Sequence, residues 1–176
     1  WSSGYVGDIA HLWGENISDY WFGIRNESYW IIQREHTLKE IVKLLGPDAL
    51  PDEEKLILEI ARMVKIGLLQ QNSFDDVDTY CSPEKQFKLL KLVVDFYKQG
   101  QQSLKEGTPL ASIRDLPVVT SILKARMDIK DDEMPKLDQL ENDMKEQFKN
   151  ISGVKVTNWP LKAAFNTAKL LKLKDL

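Results

Sequence analysis

Asp75, Asp76 and Asp78 place three carboxylates in one polar segment that also holds Phe74, Tyr80 and Cys81. Clustered carboxylates can hold a cation, a thiol can act as a nucleophile, and aromatic faces can stack on a planar ligand. The first option is weak, because the segment lacks the glycine and the distant glutamate of a calcium loop. Solvation or helix capping is the favoured task for these acids. The thiol option needs a nearby base that the sequence does not offer, which favours a half-buried structural cysteine. His11 and His36 stand isolated, and ordinary surface or packing roles are expected for both. The chain has no Gly-rich phosphate loop, no Cys-x-x-Cys, no His-Glu-x-x-His and no Gly-x-Ser-x-Gly. No self-contained catalytic set is therefore expected, and the aromatics of the loop remain its best candidates for binding.

The loop lies between the two most apolar helical runs. On its N-terminal side, Pro51 followed by Asp52, Glu53 and Glu54 predicts a helix start, since proline fits the first turn and acids complement the positive end of the dipole. From Lys55 to Leu69 the residues Leu56, Ile57, Leu58, Ile60, Ala61, Met63, Val64 and Ile66 cover most of the circumference, which predicts the buried centre of the domain. On its C-terminal side, Ser82-Pro83-Glu84 predicts a second capped start. The stripe that follows is Phe87, Leu90, Val94 and Tyr97, with Leu89, Val93 and Phe96 beside it, fading towards Gly100 or Gly107.

Upstream, Tyr5, Ile9 and Trp13 have roughly helical spacing for a short helix or entry strap over Trp1 to Trp13, weakened by Gly4, Gly7 and Gly14. Ser18 is expected to cap a longer helix carrying Trp21, Ile24, Ser28, Ile31 and Ile32 on one face. That pattern continues through Leu38, Ile41, Val42 and Leu45, with a possible break near His36, and stops at Gly46-Pro47. Downstream, Pro109 and Pro117 imply corners, Val118 to Met127 a short helix, and Leu137, Leu140, Met144 and Phe148 a narrow stripe on a charged, peripheral helix. No alternating pattern of useful length occurs, so the expected class is all-α, a helical bundle in one domain spanning residues 1–176.

Composition agrees with that class. The 176 residues are 43% hydrophobic and 29% charged, as in a soluble globular domain. A net charge of −3 gives no general reason to bind nucleic acid or an anionic membrane, and no run reaches membrane-spanning length. A lone cysteine suits a reducing compartment, and the glycosylation-like triplets at Asn16, Asn26 and Asn150 are short enough to arise by chance. Because Trp1 is not a methionine, the chain is expected to be a fragment or a processed product.

Longer motifs carry a family resemblance. Leu45-Gly46-Pro47-Asp48-Ala49-Leu50-Pro51, then the helix from Glu54 to Leu69, then Gln70-Gln71-Asn72-Ser73-Phe74-Asp75-Asp76-Val77-Asp78-Thr79-Tyr80-Cys81-Ser82-Pro83-Glu84-Lys85-Gln86, closely resembles the C-terminal domain of the catalytic A subunit of archaeal A-type and vacuolar-type rotary ATPases. The match runs from about Trp13 to about Gly107 and more loosely to Phe148, and the resemblance does not extend to the tail from Val154. In that family the phosphate loop, catalytic glutamate and magnesium site belong to a preceding domain. The resemblance therefore implies ATP or ADP with Mg in the full-length subunit, with no catalytic residue or turnover in this chain alone.

The resemblance also assigns tasks. The loop after the central helix in such subunits sets aromatics beside adenine, which marks Phe74 and Tyr80; the alternative is that both simply pin the loop to the core. The Gly46 to Glu54 turn corresponds to an acidic helix-loop-helix that meets the rotating shaft, which marks Pro47, Asp48, Leu50, Asp52, Glu53 and Glu54 as contacts to the central stalk. By a plainer reading these acids only complement a helix N-terminus, and both can hold together. The implied setting is the cytoplasmic face of a membrane-bound complex, with the nucleotide-binding domain of the same polypeptide, neighbouring B subunits of an alternating A/B hexamer and central-stalk subunits as partners, and with no nucleic acid or direct membrane insertion. Trp159-Pro160 is expected to open a basic amphipathic helix that packs on its own domain or another subunit, with membrane contact as the weaker option. The competing reading of the whole chain is a free-standing all-α interaction module.

Overall fold

Residues 5–152 are described by a computed structural model of the chain. Trp1 to Gly4 and residues 153–176 lie outside them, and with them the predicted helix after Trp159-Pro160. Among the described residues the ordered elements are helical and no strand occurs.

Helix α1 (Val6–Asn16) leads into α2 (Trp21–Leu45), and Trp13 meets Trp21 across the junction with ring centroids 5.0 Å apart. Ser18 does not cap α2 from the expected position. Its Oγ accepts the N–H of Tyr20 at 3.2 Å in the turn before the helix, and Tyr20 takes the capping place without a side-chain bond. No break occurs at His36: α2 runs continuously to Leu45, because Glu35, Leu38 and the preceding isoleucines keep one face against the core. Leu45 itself is exposed rather than part of that face.

Gly46 then adopts φ 84° and ψ 164°, a region in which only glycine is comfortable, and its N–H still bonds the Val42 carbonyl at 2.9 Å. A single 3-10 turn, Pro47–Ala49, and an extended Leu50-Pro51 return the chain along α2 as α3 (Asp52–Val64). Pro51 takes the N-cap place, just outside the first turn, and Asp52, Glu53 and Glu54 fill that turn as expected. Leu56, Ile57, Ile60, Ala61, Met63 and Val64 are all buried, so α3 is the central helix.

Helix α3 does not continue to Leu69 as α-helix. Lys65–Leu69 widens into a π turn, which packs Gly67 against the backbone of Ile122 and Leu123. Such bulges insert an extra residue and redirect the chain. The following segment reaches α4 (Pro83–Lys105), where Ser82 Oγ accepts the Lys85 N–H at 3.3 Å as a true N-cap. The buried face of α4 is Leu89, Leu92, Val93, Val94, Phe96 and Tyr97; Val94 and Tyr97 of the expected stripe and the flanking Leu89, Val93 and Phe96 are buried, whereas Phe87 and Leu90 are only half-buried.

Helix α4 closes at Gly107, and the corners at Pro109 and Pro117 enclose the short α5 (Leu110–Arg114) before α6 (Pro117–Asp128). A 3-10 turn at Asp131–Glu133 precedes α7 (Pro135–Ser152). The predicted stripe on α7 is wholly buried: Leu137, Leu140, Met144 and Phe148 enter the common core, and Phe148 meets Phe96 edge to face at 4.9 Å. The charged remainder of α7 faces out, so the helix is peripheral in position but integral to the core.

Candidate functional site

The segment between the π turn and α4 has an unusual balance of exposure and order. Phe74 is 98% exposed and Tyr80 is 70% exposed, so neither pins the loop to the core. Backbone and side-chain bonds hold the segment instead. Asp75 Oδ1 accepts the N–H groups of Val77 at 3.0 Å and Asp78 at 2.9 Å, a capping arrangement of the kind expected of these acids. Asn72 Oδ1 accepts the Phe74 N–H at 3.0 Å. Thr79 Oγ1 donates to the carbonyls of Asp75 at 2.6 Å and Ser73 at 3.1 Å, and Gln71 Nε2 donates to the Asp78 carbonyl at 2.6 Å. Asp76 is exposed to solvent.

Asp78 departs from its expected role as a solvated or capping acid. It is fully buried, its Oδ2 accepts the Asn72 N–H at 2.6 Å, and its Oδ1 lies 3.0 Å from Arg126 Nε. That last contact is ionic rather than an aligned hydrogen bond. Arg126, 4% exposed, sends Nη1 to the Leu68 carbonyl at 3.1 Å and Nη2 to the Gln70 carbonyl. Lys85, also fully buried, donates Nζ to the Arg126 carbonyl at 3.0 Å and sits 3.4 Å from Asp131 Oδ1. Asp131 Oδ2 accepts the Ser82 N–H at 3.0 Å.

Arg126, Lys85 and Asp131 were not singled out by sequence reasoning, although two of them leave a legible trace. Arg126 falls in phase with Val119 and Ile122, and Lys85 in phase with Leu89, Leu92 and Phe96. A cation on an apolar helical face is rarely left unpaired. Cys81 is half-buried beside this network. Burial pushes its thiol above the ordinary range, and nearby Asp131 adds to this while Lys85 partly offsets it, as fits a structural thiol.

At the other end of α3, Pro47, Asp48, Asp52 and Glu53 are exposed, and Leu44 and Leu45 stand exposed beside them. Leu50 is buried and anchors the turn in the core. Glu54 is half-buried and paired with Arg34 at 2.6 Å. A single helix with its π turn therefore separates the acidic turn from the aromatic loop. A shallow open groove between α6 and α7, lined by Thr120, Ser121, Lys124, Asp128, Lys136 and Asp143 among others, contains neither Phe74 nor Tyr80. Among the described residues no group of three or more His, Cys, Asp or Glu side chains is placed to hold a metal ion, and no helix is long and apolar enough to cross a membrane.

Residues 11–114 match the family model described as the C-terminal domain of V and A type ATP synthase. The A subunit of the A-type ATP synthase of Hyperthermus butylicus is 40% identical over 155 residues, covering 87% of this chain and 26% of that protein. Its counterpart in Methanopyrus kandleri is 40% identical over 147 residues, covering 84% of this chain and 25% of that protein. The corresponding values for Ignicoccus hospitalis are 39% over 150 residues, 84% and 25%. The chain thus spans about a quarter of the length of the curated relatives it matches. With the family model covering more than half of its residues and an all-α fold built around the central helix and its loop, the chain belongs to the family of C-terminal domains of V- and A-type ATP synthases.

Proposed function

We propose that this domain forms the adenine side of a nucleotide site completed by a preceding nucleotide-binding domain, and couples ATP hydrolysis or synthesis there to rotation of a central stalk. The observation that carries the reading is Phe74: a large aromatic, almost fully exposed, at the tip of a loop whose backbone is held by its own side chains. An apolar ring displayed on a rigid support serves contact with something outside the domain better than it serves the domain itself. ATP or ADP with Mg would be bound mainly by the preceding domain, since this chain lacks a phosphate loop and a catalytic acid set. The contribution of Phe74, with Tyr80 as a second ring, is to orient the base.

The same reading gives the acidic turn a task. Pro47, Asp48, Asp52, Glu53 and Glu54 present a stiff corner to the stalk, backed by Leu50 in the core and by the helix pair α2 and α3. A corner limited by two prolines passes on a push without bending. Exposed charges are screened beyond about 8 Å at physiological salt, so shape carries more of this contact than charge. The assembly would be the peripheral, cytoplasmic part of a membrane complex moving protons or sodium ions, with B subunits as neighbours.

The test is Phe74→Ala in the full-length subunit. Nucleotide affinity is expected to fall about threefold to tenfold, the worth of one aromatic contact, with binding of inorganic tripolyphosphate unchanged. An unchanged ADP affinity would sink the assignment. The purified 176-residue chain is expected to show no Mg-dependent ATP turnover.

A further inference from the structure

Within residues 70–80 only Asp78 is buried. The segment has no buried apolar residue, Val77 being only half-buried, so its place relative to the helices rests chiefly on what holds that one carboxylate. Resting on the nucleotide-edge reading above, we propose that Asp78 and Arg126 are positioning residues: the pair sets where Phe74 and Tyr80 stand, and makes that position follow the end of α3.

The geometry of the guanidinium carries this. Arg126 engages two bodies, with Nη1 and Nη2 donating to the carbonyls of Leu68 and Gln70 at the end of the π turn, and its charge set against Asp78 inside the loop, whose Oδ1 lies 3.0 Å from Nε. A planar guanidinium bonds the two carbonyls in set directions while facing the carboxylate, and the freely rotating ammonium of a lysine does not fix those directions. Asp78 in turn gives its second oxygen to the Asn72 N–H, which closes the loop upon itself. Lys85 pins the backbone of Arg126 from α4, and Asp131 ties the far end of the segment at the Ser82 N–H. The loop is therefore a cross-bonded unit hung on one buried ion pair. Buried pairs add little net stability compared with apolar packing, but they define position, because any displacement leaves a charge unpaired away from water. A shift of α3 is passed through its terminal carbonyls to Arg126 and from there to the aromatic loop.

Two measurements separate this from the nucleotide reading. In the 176-residue chain, Asp78→Asn and Arg126→Lys are expected to speed amide hydrogen exchange at Asn72, and modification of the half-buried Cys81 by an aromatic disulfide reagent, by about tenfold or more, with helical circular dichroism unchanged. Unchanged rates overturn the proposal, and so does loss of the helical signal in both variants, since the pair would then serve the fold as a whole. In the full-length subunit, both variants are expected to weaken Mg-ADP binding about threefold to tenfold while leaving Mg-tripolyphosphate unaffected. Adding Asp78→Asn to Phe74→Ala should cost less than Asp78→Asn costs alone, with only the share of Tyr80 left to lose. A full additional loss in the double variant, or an equal loss for tripolyphosphate, overturns the positioning role. An ADP affinity indifferent to Phe74→Ala alone sinks the functional reading instead, and the exchange rates then decide the lock by themselves.

Discussion

Asp78 and Arg126, one from a polar loop and the other from the last turn of α6, meet at 3.0 Å with both side chains buried. The contact joins a segment without a buried apolar side chain to the central packing of the domain. It also places the loop under the control of the carbonyls that end the π turn. The remaining features that fix the shape of the domain lend themselves to direct measurement.

Gly46 turns the chain between α2 and α3 at a positive φ with an extended ψ, and a Cβ added there would meet nothing within 4 Å. The cost of Gly46→Ala is therefore backbone strain and not a clash, about 1–3 kcal/mol. Urea unfolding should show a lower midpoint with an unchanged slope.

Phe148 closes the core from α7 and stacks edge to face on Phe96. Phe148→Ala should destabilise the chain by about 3–5 kcal/mol, the range for a fully buried aromatic. A loss under about 1 kcal/mol, the scale of a surface change, would show that α7 is only laid on the outside.

Gly100 is where α4 approaches α3: a Cβ would lie 3.1 Å and 3.3 Å from the two methyl carbons of buried Leu56. For Gly100→Ala, the gain in helix propensity of about 1 kcal/mol is opposed by this crowding, so the net change should be small. Gly100→Val adds two further carbons in the same space and should cost about 2 kcal/mol or more. Equal stability of the two variants in thermal unfolding would contradict the close approach.

Glu35 is buried between α2 and the π turn, where it pairs with Lys39 at 2.8 Å and with Lys65. Burial alone would raise its carboxyl, but the hydrogen bonds and charges of Lys39 and Lys65 outweigh it and hold the group below its ordinary 4.5. A carboxyl lowered on folding stabilises the native state above its unfolded value, and that contribution is lost as pH falls through the folded value. Glu35→Gln should therefore cost about 1–2 kcal/mol at pH 7, with both lysine partners partly exposed. The difference from the parent should shrink as pH falls below the ordinary carboxyl value of 4.5 and vanish once Glu35 is protonated in the folded state. A gap that persists in denaturant titrations at low pH would assign the effect to packing rather than charge.

The sequence by itself determined the helices and most of their limits. Gly46-Pro47, the acids after Pro51 and the Ser82-Pro83 start act on backbone groups a few residues away, so their effect is local and legible. Leu56 to Val64 and the Leu137 to Phe148 stripe are likewise read from a repeat of 3.6 residues. The family resemblance drew on the same local strings, and it marked Phe74 and the acidic turn without saying how either is held. Only the tertiary structure decided that α2 passes His36 unbroken, that Phe87 and Leu90 of the apolar face of α4 stay half-buried, and that α3 ends in a π turn. It alone paired Asp78 with Arg126 and left Phe74 in the open. These outcomes depend on which surfaces meet across long stretches of chain. A carboxylate that looks like any other loop acid in the string becomes the anchor of that loop only when a guanidinium from α6 arrives beside it, out of reach of water.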